Sequence, residues 1–117
     1  MTKLLLEPME QFHHGDCVGG DAWAHDTVRI CLSRVSIHVH PPSNPVNRAY
    51  RVGNVTYEPR PYLDRNQDIV NASEIILAAP KGMREELRSG TWHAIRYAIA
   101  QRKRVIIVWP NGKIEER

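Results

Sequence analysis

Two short stretches of this sequence gather residue types suited to an anionic ligand. The first is Gly15-Asp16-Cys17-Val18-Gly19-Gly20-Asp21, in which three glycines alternate with two aspartates and a cysteine. Glycine lets the backbone approach an anion closely, and a helix beginning just beyond presents unpaired N–H groups and the positive end of its dipole. Asp16 and Asp21 would oppose a phosphate if aimed inward; they suit ribose hydroxyls or helix capping better. A plain structural turn is the competing explanation for the same glycines. The second stretch is Arg88-Ser89-Gly90-Thr91-Trp92. Ser89 and Thr91 supply hydroxyls, Gly90 supplies close approach, and Arg88 supplies a planar cation for phosphate. Its simpler alternative is an N-cap with an exposed arginine.

Other groupings carry less. His38 and His40 alternate along one extended segment and share a face, and His13, His14, Cys17 and His25 add nitrogen and sulfur donors of the kind zinc accepts. No spacing among them matches a zinc signature, so no metal is assigned. Cys17, before a helix start, invites a thiolate nucleophile with His14 or His25 as its base. A small cysteine in a tight turn explains it more simply, and no catalytic residue is assigned. Arg102-Lys103-Arg104 closes a helix, where cations complement the dipole, and this argues against a nucleic-acid patch. Trp23, Trp92 and Trp109 could stack on a base or pack in a core; Trp92, beside the second glycine stretch, is the best placed to stack.

The elements that must position these residues follow from periodicity. Residues 2–11 read as a short helix interrupted near Pro8, and Phe12-His13-His14 as a brief extended piece. A helix is predicted from Asp21 to Ser33, with Ala24, Val28, Cys31 and Leu32 at helical spacing to face a sheet. Val35 to His40 is β-branched, alternating, and stopped by Pro41-Pro42. Pro41 to Pro61 is a long polar loop, too long to be structureless without a use, and reads as a ligand lid or a mobile segment. A helix follows from Tyr62 or Leu63 to Ala72. Glu74 to Ala79 is nearly all apolar, as a central strand covered on both faces would be. Ser89 caps a helix to about Arg102 whose stripe is Trp92, Ile95 and Ile99 with Ala98 beside it. Val105 to Trp109 is a further apolar strand, closed by Pro110-Asn111-Gly112.

Strands alternating with helices imply an α/β chain of Rossmann-like type: one mostly parallel sheet of about four to five strands with helices on both faces. In such sheets ligands bind at the carboxyl ends of strands, so the two glycine stretches are expected to meet at one edge. The 117 residues fit one domain, and 42% apolar content is enough for a core. The net charge of +3 suits an anionic ligand but is too small to argue for nucleic acid. No apolar run is long enough to span a bilayer, and Leu4-Leu5-Leu6, stopped by Glu7-Pro8, makes no secretory signal. With only two cysteines, Cys17 and Cys31, a reduced cytoplasmic compartment is expected.

Three segments together, residues 12–21, 61–70 and 88–92, resemble the SLOG superfamily, and more narrowly its small bacterial and phage members. The superfamily also holds the LOG-type phosphoribohydrolases and the DNA-processing protein A group. The resemblance runs from about Phe12 to Gly112. It implies a Rossmann-like sheet and a nucleotide-derived ligand at the two glycine stretches, with Arg65 and Asn66 at the rim and residues 41–61 partly covering the site. In the LOG enzymes a catalytic glutamate follows the glycine-threonine pair by three residues; here that position is Ala94. Alanine can neither stabilise charge on the ribose nor activate water, which speaks against that hydrolysis. Relatives also open with a strand that this chain appears without, a strand central to the usual order. Either the strands close up, a partner chain fills the gap, or the natural start lies upstream of Met1.

The expected function is therefore a binding module or sensor for a nucleotide or nucleotide-derived small molecule, with no separate cofactor. Two alternatives stand beside it. One is a hydrolase cleaving an N-glycosidic or phosphate bond with Asp16, Asp21 or Asp68 as acid or base. The other is a subunit, in a homo-oligomer or otherwise, whose sheet another chain completes.

Overall fold

The computed structural model describes residues 9–117. They form an α/β structure in two compact units that divide between Pro61 and Tyr62. The helix expected over residues 2–11 falls mostly outside the described residues, and Gln11 opens a strand instead.

In the first unit, β1 (Gln11–His14) leads through the first glycine stretch into α1 (Gly20–Cys31), which returns the chain to β2 (Ser36–Val39). β1 and β2 are parallel, with Phe12 opposite Ile37 and His14 opposite Val39. The two-residue β3 (Val55–Thr56) adds to the far side of β2, also parallel, giving the order β1-β2-β3. Ile37 and Val39 are fully buried. α1 lays Ala22 and His25 into the interior, not the expected Ala24, Val28, Cys31 and Leu32, of which Cys31 and Leu32 are exposed. The helix carries apolar residues all round (Trp23 and Ile30 face solvent), so periodicity alone picked the wrong stripe.

The segment from Pro41 to Pro61 is not structureless. Its ends close on each other through Ser43 N–H to the Arg60 carbonyl at 2.8 Å and Arg60 N–H to the Pro41 carbonyl at 3.2 Å. Asn54 stands in as a strand partner for Ile37: its N–H donates to the Ile37 carbonyl and its Oδ1 accepts the Ile37 N–H, both at 2.8 Å. Gly53 makes this approach possible, since a Cβ there would lie 2.6 Å from the Ile37 carbonyl oxygen and 2.8 Å from Val39 Cγ2.

In the second unit, α2 (Tyr62–Ala72) precedes β4 (Ile75–Ala78), and α3 (Gly90–Ala100) connects β4 to the parallel β5 (Arg104–Val108). A turn at Gly112, whose φ of 86° lies in the left-handed region, brings β6 (Ile114–Glu116) back antiparallel to β5. One core joins Val70 of α2, Ile76 and Ala78 of β4, Trp92, Ile95 and Ala98 of α3, and Val105 and Ile107 of β5. Each valine or isoleucine among them contributes about 1.5–3 kcal/mol on burial. Ile99, expected in this stripe, is 43% exposed, and Ala98 takes the buried place one position earlier.

Two three-stranded sheets therefore replace the single sheet of four to five strands. β4 is not the central strand that its apolar run implied. Among the described residues it pairs with β5 alone, and Leu77 on its second face is 58% exposed. β3 and β6, which complete the sheets, are too short or too charged to show a hydrophobic pattern.

Gly53→Ala is expected to cost about 2 kcal/mol, because the new methyl meets backbone that cannot give way. Gly20→Ala should cost nothing measurable, since a Cβ at Gly20 meets nothing within 4 Å. Urea denaturation of the two variants checks the contrast.

Candidate functional site

The first glycine stretch is built around the Asp16 side chain. Asp16 is fully buried and holds a left-handed backbone with φ of 57°. Its Oδ2 accepts from Arg48 Nε at 3.0 Å and its Oδ1 accepts the Arg51 N–H at 2.9 Å. Its carbonyl accepts the Ala49 N–H at 2.7 Å, and Val18 N–H donates to the Asn47 carbonyl at 2.8 Å. Arg51 also forks onto Asp26 of α1, Nε to Oδ1 and Nη2 to Oδ2, both at 3.0 Å. This pair, exposed to solvent, holds the Asp26 carboxyl below its usual value and raises Arg51, chiefly through the shared hydrogen bond. Residues 47–51 thus strap the glycine stretch from one side.

Asp21 is half-buried and its Oδ2 accepts the Cys17 N–H at 3.1 Å, a tie back onto the turn rather than the helix cap expected from sequence. Cys17 Sγ lies 3.8 Å from the Gly15 carbonyl, an acceptor that suits a thiol and opposes a thiolate. Beyond it α1 begins at Gly19, with φ of 93° and no side-chain cap. Gly19 and Gly20 are exposed, and a Cβ on either would meet open space. The Asp16 carboxylate is folded away against Arg48, while Asp21 remains in the first turn of α1 beside the exposed Gly19 and Gly20.

Beneath the stretch lies a pair of buried imidazoles. Asp16 N–H donates to His14 Nδ1 at 3.0 Å, so that nitrogen carries no proton. His14 therefore bears its proton on Nε2 and donates it to His25 Nδ1 at 2.9 Å. The two rings meet edge to face with centroids 5.0 Å apart. Burial first, then the Arg29 and Arg51 cations, lower the His25 pKa, with Asp26 and Asp16 opposing.

His13, His38 and His40 form a column with Tyr57. His13 stacks on His38 with centroids 4.4 Å apart, and His40 stacks on Tyr57 at 4.3 Å. His13 Nε2 lies 2.9 Å from Gln11 Oε1, which it can only reach as a donor, so His13 Nδ1 accepts from His40 Nε2 at 2.8 Å. Among the described residues no group of three or more histidine, cysteine or acidic side chains is arranged to hold a metal ion.

The second glycine stretch lies in the other unit. Ser89 caps α3, its Oγ accepting the Trp92 N–H at 3.3 Å. Trp92 is a core residue, 1% exposed and packed near Trp109, so its ring offers no stacking face. Arg88 is exposed, and Thr91 is half-buried in the first turn. Arg65, expected at the rim, is instead 2% exposed, with its guanidinium 4.4 Å above the Tyr62 ring. Asn66 Nδ2 lies 3.4 Å from the Gly90 carbonyl, and a Cβ on Gly90 would meet Tyr62 Cε1 at 2.6 Å. Arg65, Asn66, Ser89 and Gly90 are thus brought together around Tyr62. Arg96 holds the approach to Arg88 by donating to the Leu87 carbonyl at 3.0 Å. Ala94 contributes a methyl to the core margin.

Sequence reading missed Arg48, Arg51, Tyr62 and Arg96. The one usable signal was Asp16 itself, since an acid among glycines at a buried turn requires a cationic partner. No family model matches the chain, and no curated protein or solved structure matches it either. Among the described residues no helix is long and apolar enough to cross a membrane.

Two measurements follow from this geometry. Asp16→Ala leaves the Arg51 N–H and Arg48 without their acceptor and should cost about 3 kcal/mol in denaturant unfolding. Burial, then the His38 and His14 charges, lower the His13 pKa from 6.5 to about 4. The unfolded chain then takes up the proton first. The stability His13 contributes is complete above pH 6.5 and is lost as pH falls toward about 4, and His13→Gln should flatten that part of the profile.

Proposed function

We propose that this chain is a Rossmann-like, SLOG-type binding module or sensor for a nucleotide or nucleotide-derived ligand. The observation that carries the reading is the start of α1. Gly19 and Gly20 are exposed, uncapped and surrounded by open space, and the Asp16 carboxylate beside them is sequestered by Arg48. Backbone N–H groups there can receive a phosphate with no side chain to displace. Gly15, Asp16, Cys17 and Asp21 serve as the frame of that site. Arg88, Ser89, Gly90 and Thr91 form a second helix start, capped by Ser89 and more enclosed, with Asn66 close to it and Arg65 beside Tyr62. The parallel strand-helix-strand crossovers β1-α1-β2 and β4-α3-β5 support the Rossmann-like reading.

Binding is favoured over hydrolysis because two of the three carboxylates offered as acid or base, Asp16 and Asp21, are engaged. Asp16 is bound by Arg48 and Arg51, Asp21 by the Cys17 N–H, and Ala94 stands at the LOG-type glutamate position. A separate observation favours a second reading. Among the described residues β1 and β4 each lie at the edge of their sheet, which a strand from a second copy or another chain would extend. A monomeric molar mass in solution across the micromolar range would remove that reading.

A thermal-shift screen with mono-, di- and cyclic nucleotides tests the binding proposal. At a hundred times its Kd a ligand stabilises the native state by about 2.7 kcal/mol, which raises Tm by several degrees. Gly20→Asp, placing a carboxylate at the open helix start, should leave the unliganded Tm within a degree or so and abolish the ligand shift. Binding that survives this variant unchanged overturns the assignment to α1. Chromatography of the same incubations for released base or ribose phosphate reads out turnover.

A further inference from the structure

We propose that His14 and His25 form an acid-sensitive switch that sets the conformation of the first glycine stretch. The case rests on the direction of two hydrogen bonds. A backbone N–H can only donate, so Asp16 N–H fixes His14 Nδ1 as an acceptor, and His14 Nε2–H in turn fixes His25 Nδ1 as an acceptor. Each ring nitrogen free to take a proton therefore already faces an N–H. A proton on His14 Nδ1 opposes Asp16 N–H, and a proton on His25 Nδ1 opposes His14 Nε2–H. The rings are 3% and 5% exposed, so neither charge is relieved by water.

Either protonation breaks a bond that seats residues 14–16, and Asp16 is the residue through which Arg48, Ala49 and Arg51 hold the strap. The charged and titratable neighbours favour the neutral pair. From α1, Arg29 opposes charge on His25 while Asp26 favours it; from the strap Arg51 opposes it; from the glycine stretch Asp16 favours it, and burial outweighs both acids. On β1, His13 adjoins His14 and is itself held neutral to about pH 4. The device is closed near neutral pH and released in acid.

The effect on ligand affinity rests on the proposed binding function; the effect on the glycine stretch does not, and the experiment reads them separately. Ring and amide NMR signals of the full chain are followed from neutral pH to about pH 4 without ligand, and AMP affinity is measured at both ends. The expected result is neutral His14 and His25 carrying protons on Nε2 at neutral pH. The Gly15, Asp16 and Cys17 amides then move in step with the His25 ring as it titrates below the usual histidine value. His14→Asn keeps an acceptor for Asp16 N–H and cannot be protonated there, so the amide change should vanish; His25→Gln serves if that variant does not fold. AMP affinity should fall about tenfold over the same pH range in the parent chain and stay level in the variant. Rings that titrate while the three amides stay still, or a variant that keeps the parent pH profile, overturn the switch. If AMP does not bind at any pH, the binding proposal fails while the amides still decide this one.

Discussion

A carboxylate sealed from water at the turn of a glycine loop is the constraint from which the first unit is organised. Asp16 could not be buried as an ion without partners, since the desolvation of a lone carboxylate exceeds anything the surrounding packing returns. The chain supplies those partners from more than thirty residues away, with Arg48 on one oxygen and the Arg51 amide on the other. A long-range tie of this kind orders what would otherwise be a long polar loop. Asp16 holds a left-handed backbone at this point, and the chain runs on through Cys17 to the start of α1.

The buried imidazoles beneath the turn follow from the same need. Once Asp16 is turned inward, its N–H must find an acceptor, and His14 Nδ1 is that acceptor. The choice propagates to His25, so one backbone donor determines the tautomer of two rings. Stability and conformational control therefore depend on the same few bonds. A loop fixed by an internal acid and an imidazole pair is preorganised, so the binding proposed above would leave little ordering to be done.

Much of the architecture was legible from residues alone. The α/β class, the strand around Phe12, the strand after Val35, the helix from Tyr62 to Ala72 and the Ser89 cap all appear where pattern and capping chemistry placed them. What escaped was pairing. An apolar run such as Ile75 to Ala78 says that a strand is buried, but not how many neighbours it has, and Leu77 stands exposed at an edge. β3 and β6 consist of Val-Thr and Ile-Glu-Glu, which carry no alternation to read. Within the candidate site, the glycine turn before α1 was legible because it is local. Arg48 and Arg51 were not, because their meaning depends on a contact that only the fold creates. Trp92 was placed correctly on its helix and wrongly toward a ligand, since position along a helix start does not reveal which face turns inward.

The central claim is that the turn at Asp16 leaves the first amides of α1 aimed at an incoming anion. Amide chemical-shift mapping during titration with nucleoside monophosphates tests it at the atoms concerned. The account predicts that the largest changes fall on Gly19, Gly20 and Asp21 and saturate together. Changes confined to other parts of the chain, or none at millimolar nucleotide, would contradict it.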